Sequence, residues 1–457
     1  MHELHHPAPP SYWGMTAQEL TQDVLQRHES AGRQFWTVAA VLGGLFGLGV
    51  IGFILLLSEG FDDRNVWGYY ATTFAYIFIV AQSAVLISVA LRMAKAHWRR
   101  PLARISELFA VVGLFNFFLL VPLLWVLPVT DGRRSIWFNW PGHSPHIWDT
   151  IGLGLLVVCG LALLFFASVP DMAAVRDHAS GRRQNIYRFM AMQWTGMPHQ
   201  WRKLNAGVSL LGAFYFMLLV VVHMLISVDF AMSLVPGWKD AIFPAFHAIS
   251  GFHSAVAIII VTMAILRWKT GFKKYLEVDQ FWSLSKLLLA LSLLWFYFWW
   301  SGFFTYWYGR QPAEISILKF LMFETYNIPF YLAFVLSFIT PFVILMWNIV
   351  RKTIWGPTLA AGIVLVGTFF NAMRFYVPAY SIEDSSLHAL DVVPPFNAPG
   401  VADILVIIGG LAGAVLTYML ASRIFPIISM WEMKEGLILQ RMRRFMKIQI
   451  KVLAKPE

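Results

Sequence analysis

Ten long apolar stretches constrain this chain more than any other feature of its sequence. Each has about the 20 apolar residues that an α-helix needs to cross roughly 30 Å of hydrocarbon. The composition agrees, because 58% of the 457 residues are hydrophobic and 13% are charged, whereas soluble domains carry about 25% charge. The sequence therefore predicts an all-α integral membrane protein with ten spans. In chain order, spans 1 to 10 are residues 35–57, 68–91, 105–127, 149–170, 206–235, 241–266, 281–306, 326–350, 354–376 and 401–425.

Basic residues follow every second span, while the loops between carry little charge. An excess of lysine and arginine marks the cytoplasmic side of a helical membrane protein. The alternation therefore predicts that both termini are cytoplasmic, and it accounts for the net charge of +10 without a nucleic-acid partner. The loop after span 9 is acidic, with Glu383, Asp384 and Asp391. The basic sets include Arg92, Lys95, Arg99, Arg100 and Arg104 after span 2; Arg176, Arg182, Arg183 and Arg188 after span 4; Arg267, Lys269, Lys273 and Lys274 after span 6; and Arg351 and Lys352 after span 8.

The segments outside the spans define the remaining organisation. Residues 1–34 are polar, without a cleavable signal sequence, and form a cytoplasmic arm, so span 1 is expected to direct insertion. Thr16 and Glu19 match a capping box, and the apolar residues after them predict an amphipathic helix on the membrane or on a partner. Residues 35–425 form the membrane domain. Residues 426–457 form a basic amphipathic tail that is expected to lie on lipids or to bind a neighbouring subunit.

The hairpin of spans 5 and 6 carries ionisable residues inside apolar sequence. Such groups are costly in hydrocarbon and mark functional sites. Asp229 and His247 each lie about 9 Å from the outer membrane surface at 1.5 Å per residue, and His223 lies about 18 Å deep on another face of span 5. For His223, a hydrogen-bonded core histidine is the alternative interpretation. On span 6, Ser250 shares the face of His247.

Other polar residues extend this set on both sides of the membrane. Gln82 is midway along span 2, where it joins helices or contacts a ligand, and Asp149 begins span 4, where an aspartate also suits helix capping. Arg374 near the outer end of span 9 suits a lipid headgroup or a carboxylate partner. Protonatable groups that step inward from the outer face suit a quinone pocket or a proton half-channel. On the cytoplasmic side, the polar motif consists of Asp171, Arg176 and Asp177, predicted as an interfacial ion-pair motif after span 4, and Lys286 at the start of span 7.

The single cysteine, Cys159, limits the redox chemistry of the chain. It excludes an intrachain disulfide, a cysteine-ligated iron–sulfur cluster and a C-x-x-C-H haem site within this chain. No zinc-ligand spacing is present, so we predict neither a metal site nor a catalytic residue. Any haem or iron–sulfur cluster is therefore expected on a partner.

Several motifs are similar to those of one family. The motifs are Ser144-Pro-His-Ile-Trp-Asp149, Val169-Pro-Asp-Met-Ala-Ala-Val-Arg-Asp177, Val222-His223, Asp229-Phe-Ala231, Leu234-Val-Pro-Gly-Trp238 and Ile242-Phe-Pro244, with weaker matches at Trp67-Gly68, His97-Trp-Arg-Arg-Pro101, Lys286, Phe425-Pro426 and Met430-Trp-Glu-Met433. On these motifs, the chain resembles the polysulfide-reductase membrane-subunit (NrfD-like) proteins, in the ten-span form of alternative complex III, over most of its length.

This resemblance implies an architecture and a set of partners. The fold would be two four-helix bundles plus two extra helices in a bacterial cytoplasmic (inner) membrane. The partners would be a periplasmic iron–sulfur/molybdopterin-like subunit, a second NrfD-like membrane subunit and c-type cytochromes. A menaquinone or ubiquinone would bind non-covalently, within a respiratory or photosynthetic electron-transport complex.

One departure from the family leaves two functions open. Some members have a histidine in span 2 where this sequence has Gln82, and an amide does not accept a proton near pH 7. Either the chain contributes a quinol site near the outer face, with Asp149, Gln82 and His223 or Asp229, or it is a non-redox paralogue that acts as scaffold and carries protons along His223, Asp229 and His247. A secondary transporter is disfavoured, because the sequence has no inverted repeat.

Overall fold

The described helices confirm a multi-pass, almost wholly helical membrane protein. The computed structural model describes residues 11–128, 135–137, 143–383, 387, 389–390, 392–445 and 448–453. Among these residues, ten helices are long and apolar enough to cross a membrane. The loop residues Asp384 and Asp391, residues 1–10 and residues 454–457 lie outside this range. The spans are Arg33–Glu59, Arg64–Met93, His97–Val126, Ser144–His178, Pro198–Leu234, Phe243–Lys269, Val278–Gly309, Asn327–Leu345, Trp355–Tyr380 and Val401–Ile424.

Spans 2, 5, 6 and 9 form the centre of the molecule, where two groups of four spans meet. Spans 2, 3, 4 and 5 pack in a ring, each against the next, and spans 6, 7, 8 and 9 do the same. The two rings meet where spans 2 and 5 face spans 6 and 9. Span 2 is the central element of this contact, since 89% of the residues in its apolar stretch are buried, compared with 11% for span 1. Spans 1 and 10 pair with each other beside spans 2 and 3.

Span 5 ends at Leu234, close to its predicted end, but its last turn is not α-helical. Its α-helix stops at Asp229, and the chain continues through a short 3-10 turn at Met232–Leu234 before span 6 begins at Phe243. We call this side of the molecule, which carries the weakly charged loops, the outer end. Measured from these helix ends, His223 lies about 9 Å and His247 about 6 Å inward at 1.5 Å per residue. The predicted difference in depth between the two histidines is therefore wrong.

The N-terminal helix is part of the folded domain. Helix α1 (Ala17–Glu29) begins with the predicted capping box, in which the Glu19 amide donates to Thr16 Oγ1 (3.2 Å) and the Thr16 amide donates to Glu19 Oε2 (2.8 Å). Its apolar residues Leu20, Val24 and Leu25 are buried against this chain. The prediction that this face lies on the membrane or on a partner is therefore wrong.

The C-terminal segment also packs on the domain. Shorter helices outside the spans include α2 (Gly181–Met190) and α3 (Pro312–Leu318). Helix α4 (Met430–Ile438) follows span 10 and contacts α1, so α1 and α4 lie at the same end of the molecule. Strands β1 (Gln440–Phe445) and β2 (Ile448–Leu453) then form an antiparallel hairpin. This hairpin is a small addition to an otherwise all-α fold, and the expectation that the tail lies on lipids or binds a neighbouring subunit stays a prediction.

Candidate functional site

A hydrogen-bonded row of four side chains crosses the centre of the molecule. Ser83 Oγ lies 2.9 Å from His223 Nε2, the Nδ1 atoms of His223 and His247 are 2.8 Å apart, and His247 Nε2 lies 3.0 Å from the Tyr376 hydroxyl. The four residues come from spans 2, 5, 6 and 9, and all are buried. We call Ser83, His223, His247 and Tyr376 the histidine relay.

Local backbone geometry brings the relay together. Span 2 contains a π-helical turn at Phe78–Gln82, immediately before Ser83; such turns are frequent at functional sites. Gly251 on span 6 provides the close approach, since a Cβ there would lie 2.5 Å from Ser83 Oγ and 2.6 Å from His223 Cε1. A larger residue at Gly251 would therefore push the two histidine-bearing helices apart.

The chemistry of the relay follows from its donors and acceptors. A neutral imidazole has one N–H and one acceptor nitrogen, so the short contact between the two Nδ1 atoms requires one of them to donate and the other to accept. Each outer Nε2 faces a hydroxyl, which can donate or accept. A proton that enters at one end can therefore leave at the other when both rings change tautomer.

Two carboxylates lie at the outer end of the same region. Trp137 Nε1 donates to Asp149 Oδ1 (3.3 Å), and the Ile136 amide donates to Asp229 Oδ1 (3.2 Å). Both aspartates are buried. Span 4 begins at Ser144, one and a half turns before Asp149, so the capping interpretation of Asp149 is wrong. The ring centroids of Trp137 and Trp148 are 5.9 Å apart beside it.

Gln82 is held by a tyrosine from span 5. The Tyr215 hydroxyl donates to the Gln82 carbonyl oxygen (2.6 Å) and lies 3.0 Å from Oε1 of the side chain. The amide group packs directly on Gly113 of span 3, where even one added carbon would clash with it. Gln82 therefore joins spans 2, 3 and 5 in a tightly filled region.

Arg374 belongs to a second polar row, on span 9. Its Nε donates to Asn371 Oδ1 (3.0 Å), and Asn371 Nδ2 lies 3.5 Å from Ser250 Oγ. Ser250 is one turn from His247 on span 6. The guanidinium of Arg374 lies over the ring of Phe375, 3.9 Å from its centroid.

The predicted cytoplasmic-side motif separates into three unrelated contacts. Asp171 is buried and accepts from Arg104 Nη2 (3.0 Å) of span 3, so its ion-pair partner is Arg104 and not the nearby Arg176. Arg176 pairs with the adjacent, exposed Asp177 (2.8 Å). Lys286 Nζ lies 3.9 Å from the ring centroid of Trp282.

Sequence reasoning missed several residues of these networks. Tyr215 and Tyr376 are two of 15 tyrosines, and nothing in their sequence context separates them from tyrosines that face lipid. Arg104 and Glu107 looked like parts of a basic loop and a span, respectively. Their charges inside the helix His97–Val126 were the available signal, since ionisable groups within a span are functional candidates.

The comparisons with known proteins do not identify the chain. No protein-family model matches it, and no match was found among curated proteins. The assignment of a function therefore depends on the geometry of these networks and on the motifs in the sequence.

Proposed function

We propose that this chain is the membrane subunit of a quinol-oxidising complex of the alternative complex III type, where it anchors a periplasmic iron–sulfur subunit and supports quinol oxidation and proton transfer near the outer face. The observation that carries the proposal is the histidine relay. Buried histidines on two membrane spans are costly, and this pair is joined in a row suited to moving a proton. The motifs shared with NrfD-like proteins supply the redox context, including c-type cytochromes and a second NrfD-like subunit.

The proposal includes an arrangement in a bacterial inner membrane. Spans 2–5 and spans 6–9 are the two four-helix bundles, spans 1 and 10 are the extra helices, and both termini are cytoplasmic. The order in which the spans contact one another supports the bundles. The alternation of basic loops supports the orientation.

The residues at the outer rim fit a quinol headgroup better than Gln82 does. Gln82 is packed against Gly113 and bonded to Tyr215, which leaves no space for a ring beside its amide. Asp149, by contrast, lies beside the paired rings of Trp137 and Trp148 at the outer end. A menaquinol or ubiquinol would supply two electrons and two protons when bound. In this proposal Asp149 accepts a proton, and the tryptophan rings form a wall of the site.

The substitution Asp149→Asn tests the quinol site. An asparagine keeps the shape but cannot accept a proton, so quinol oxidation by the purified complex is expected to fall by about 10²-fold or more, the usual contribution of a general base. The subunit composition of the complex should be unchanged. Asp403→Asn is the matched control, because Asp403 is an outer-end carboxylate that caps span 10 at Gly400, away from the relay. Equal turnover in the two variants would rule out a quinol site at Asp149.

The state of Gln82 favours a second candidate function. Without a proton acceptor at this position, the chain would be a non-redox, proton-conducting scaffold in the same kind of complex. His247→Gln would then abolish proton uptake coupled to electron transfer, while Asp149→Asn would leave quinol oxidation intact. Loss of quinol oxidation in Asp149→Asn would reject this second candidate.

A further inference from the structure

A small cavity lies at the outer end of spans 6 to 9, apart from the histidine relay. The volume of this cavity is about 30 Å³. This space holds about one or two waters and is far below the 300–1,000 Å³ typical of sites for larger organic ligands. The size selects water over a quinone ring. The lining includes Trp238, Asp240, Phe246, Trp299, Tyr306 and Arg374.

Arg374 is the charged group at the inner wall of this cavity. Its side chain is completely buried, and among the described residues its two terminal nitrogens have no hydrogen-bond partner. Trp299 Nε1, also on the cavity wall, likewise lacks a partner within the described part of the chain. A buried guanidinium whose terminal nitrogens have no acceptor is strongly destabilising. Water in the cavity would supply the missing acceptor oxygens.

Asp240 provides the opposite charge at the outer wall. It lies in the turn before span 6, is partly exposed, and accepts from the amides of Ile242 (2.8 Å) and Phe243 (3.1 Å) through Oδ1. Burial raises the pKa of this carboxyl, although these two amides act in the opposite direction. Asp240 therefore touches both the solvent and the cavity.

We propose that this cavity is a hydrated vestibule, in which water that enters past Asp240 supplies the acceptors for the terminal nitrogens of Arg374. Asn371 accepts from Arg374 Nε at the inner wall (3.0 Å). Neither an amide nor a permanently charged guanidinium relays a proton, so the vestibule is a hydrated site for this buried charge. The hydration of the vestibule does not depend on the proposed function.

Accessibility to silver ion tests the hydration directly. Silver ion is small enough for a water-sized space and reacts with thiolates, which form readily in water and poorly in apolar surroundings. Cys159, the single cysteine, is first replaced by serine. Leu321→Cys then places a thiol on the cavity wall, where Leu321 is buried, and Leu234→Cys is the matched control, because Leu234 is a buried outer-end leucine that does not line the cavity.

Silver nitrate is added to the outer side of intact cells, and the thiols that remain are labelled after denaturation. Leu321→Cys should react at least about tenfold faster than Leu234→Cys. Apolar surroundings raise the pKa of the control thiol, and each unit of that increase lowers its thiolate fraction about tenfold. Equal rates would overturn the vestibule. This readout needs no turnover, so it is independent of the Asp149→Asn and His247→Gln results that test the proposed function.

Discussion

Arg104 carries a full positive charge in the inner half of the membrane domain. Its Nε donates to Glu107 (3.1 Å), its Nη2 donates to Asp171 (3.0 Å) and to the Ala167 carbonyl oxygen (2.8 Å), and its Nη1 contacts Ser168. The side chains of Arg104, Glu107, Ser168 and Asp171 are all fully buried. The arginine therefore compensates two carboxylates that have no access to bulk water.

Replacing Arg104 with methionine should destabilise the protein strongly. Breaking a buried ion pair from one side costs about 3–5 kcal/mol, because the partner charge stays buried without compensation. The free energy of unfolding in detergent is the measurement. Arg176→Met is the control, since Arg176 pairs with an exposed Asp177 and such surface pairs contribute about 0–1 kcal/mol. Similar losses in both variants would contradict the importance of burial.

At the scale of elements, α1 is attached through His28. The His28 Nε2 lies 3.1 Å from the Tyr187 hydroxyl, which itself donates to the Ile424 carbonyl oxygen (3.0 Å). Burial, together with the nearby charges of Arg183 and Arg423, lowers the pKa of His28 from 6.5 to about 3. The docked helix thus requires a neutral histidine.

This attachment predicts that α1 loosens in acid. A histidine whose pKa is depressed in the folded state binds fewer protons than in the released state, so docking is fully stable above pH 6.5 and weakens as the pH falls toward 3. The slope is at most about 1.4 kcal/mol per pH unit. Hydrogen-exchange protection of residues 17–29, corrected for the intrinsic rate, should fall between pH 7 and pH 5. His28→Gln should flatten this dependence, and an unchanged slope in that variant would assign the effect to another group.

The capping box of α1 could be predicted from Thr16 and Glu19, but the docking of α1 could not. Capping depends on residues three positions apart, so the sequence contains it directly. The partner of the apolar face depends on Tyr187 and on α4, which are distant in sequence. Sequence pattern shows that a face is apolar, and it leaves open what covers that face.

At the scale of the whole molecule, two glycines set the contact between the first and last spans. A Cβ on Gly49 would lie 2.5 Å from the Gly409 Cα, so the two helices touch through their backbones. On the same span, Gly47 has open space around it. Close helix approach through small residues is a main source of helix association in membranes, and here it joins span 1 to span 10 beside spans 2 and 3.

Gly49→Ala should therefore weaken the attachment of span 1. The added methyl group must separate the two backbones, at an expected cost of about 1–3 kcal/mol. Gly47→Ala is expected to change stability by no more than about 0.5 kcal/mol, as for surface substitutions in general. Thermal unfolding of both variants in the same detergent compares them. Equal transition temperatures would show that the contact between spans 1 and 10 carries little stability.

The ten spans follow from the sequence alone, because the hydrophobic length of a membrane helix is a local property. Every predicted span has a corresponding helix, most with bounds within a few residues. The alternation of charged loops is equally local, and it yields the predicted orientation without any knowledge of packing.

The site was decided by the tertiary structure. The partner of each buried polar group depends on where helices end and how they are rotated about their axes, and these are set by packing across the whole molecule. The α-helical part of span 5 ends at Asp229, and His223 lies level with His247, in direct contact with it. Asp171 on span 4 pairs with Arg104 on span 3, although Arg176 is far closer in sequence. Burial leaves such groups no solvent alternative, so helix packing selects their partners.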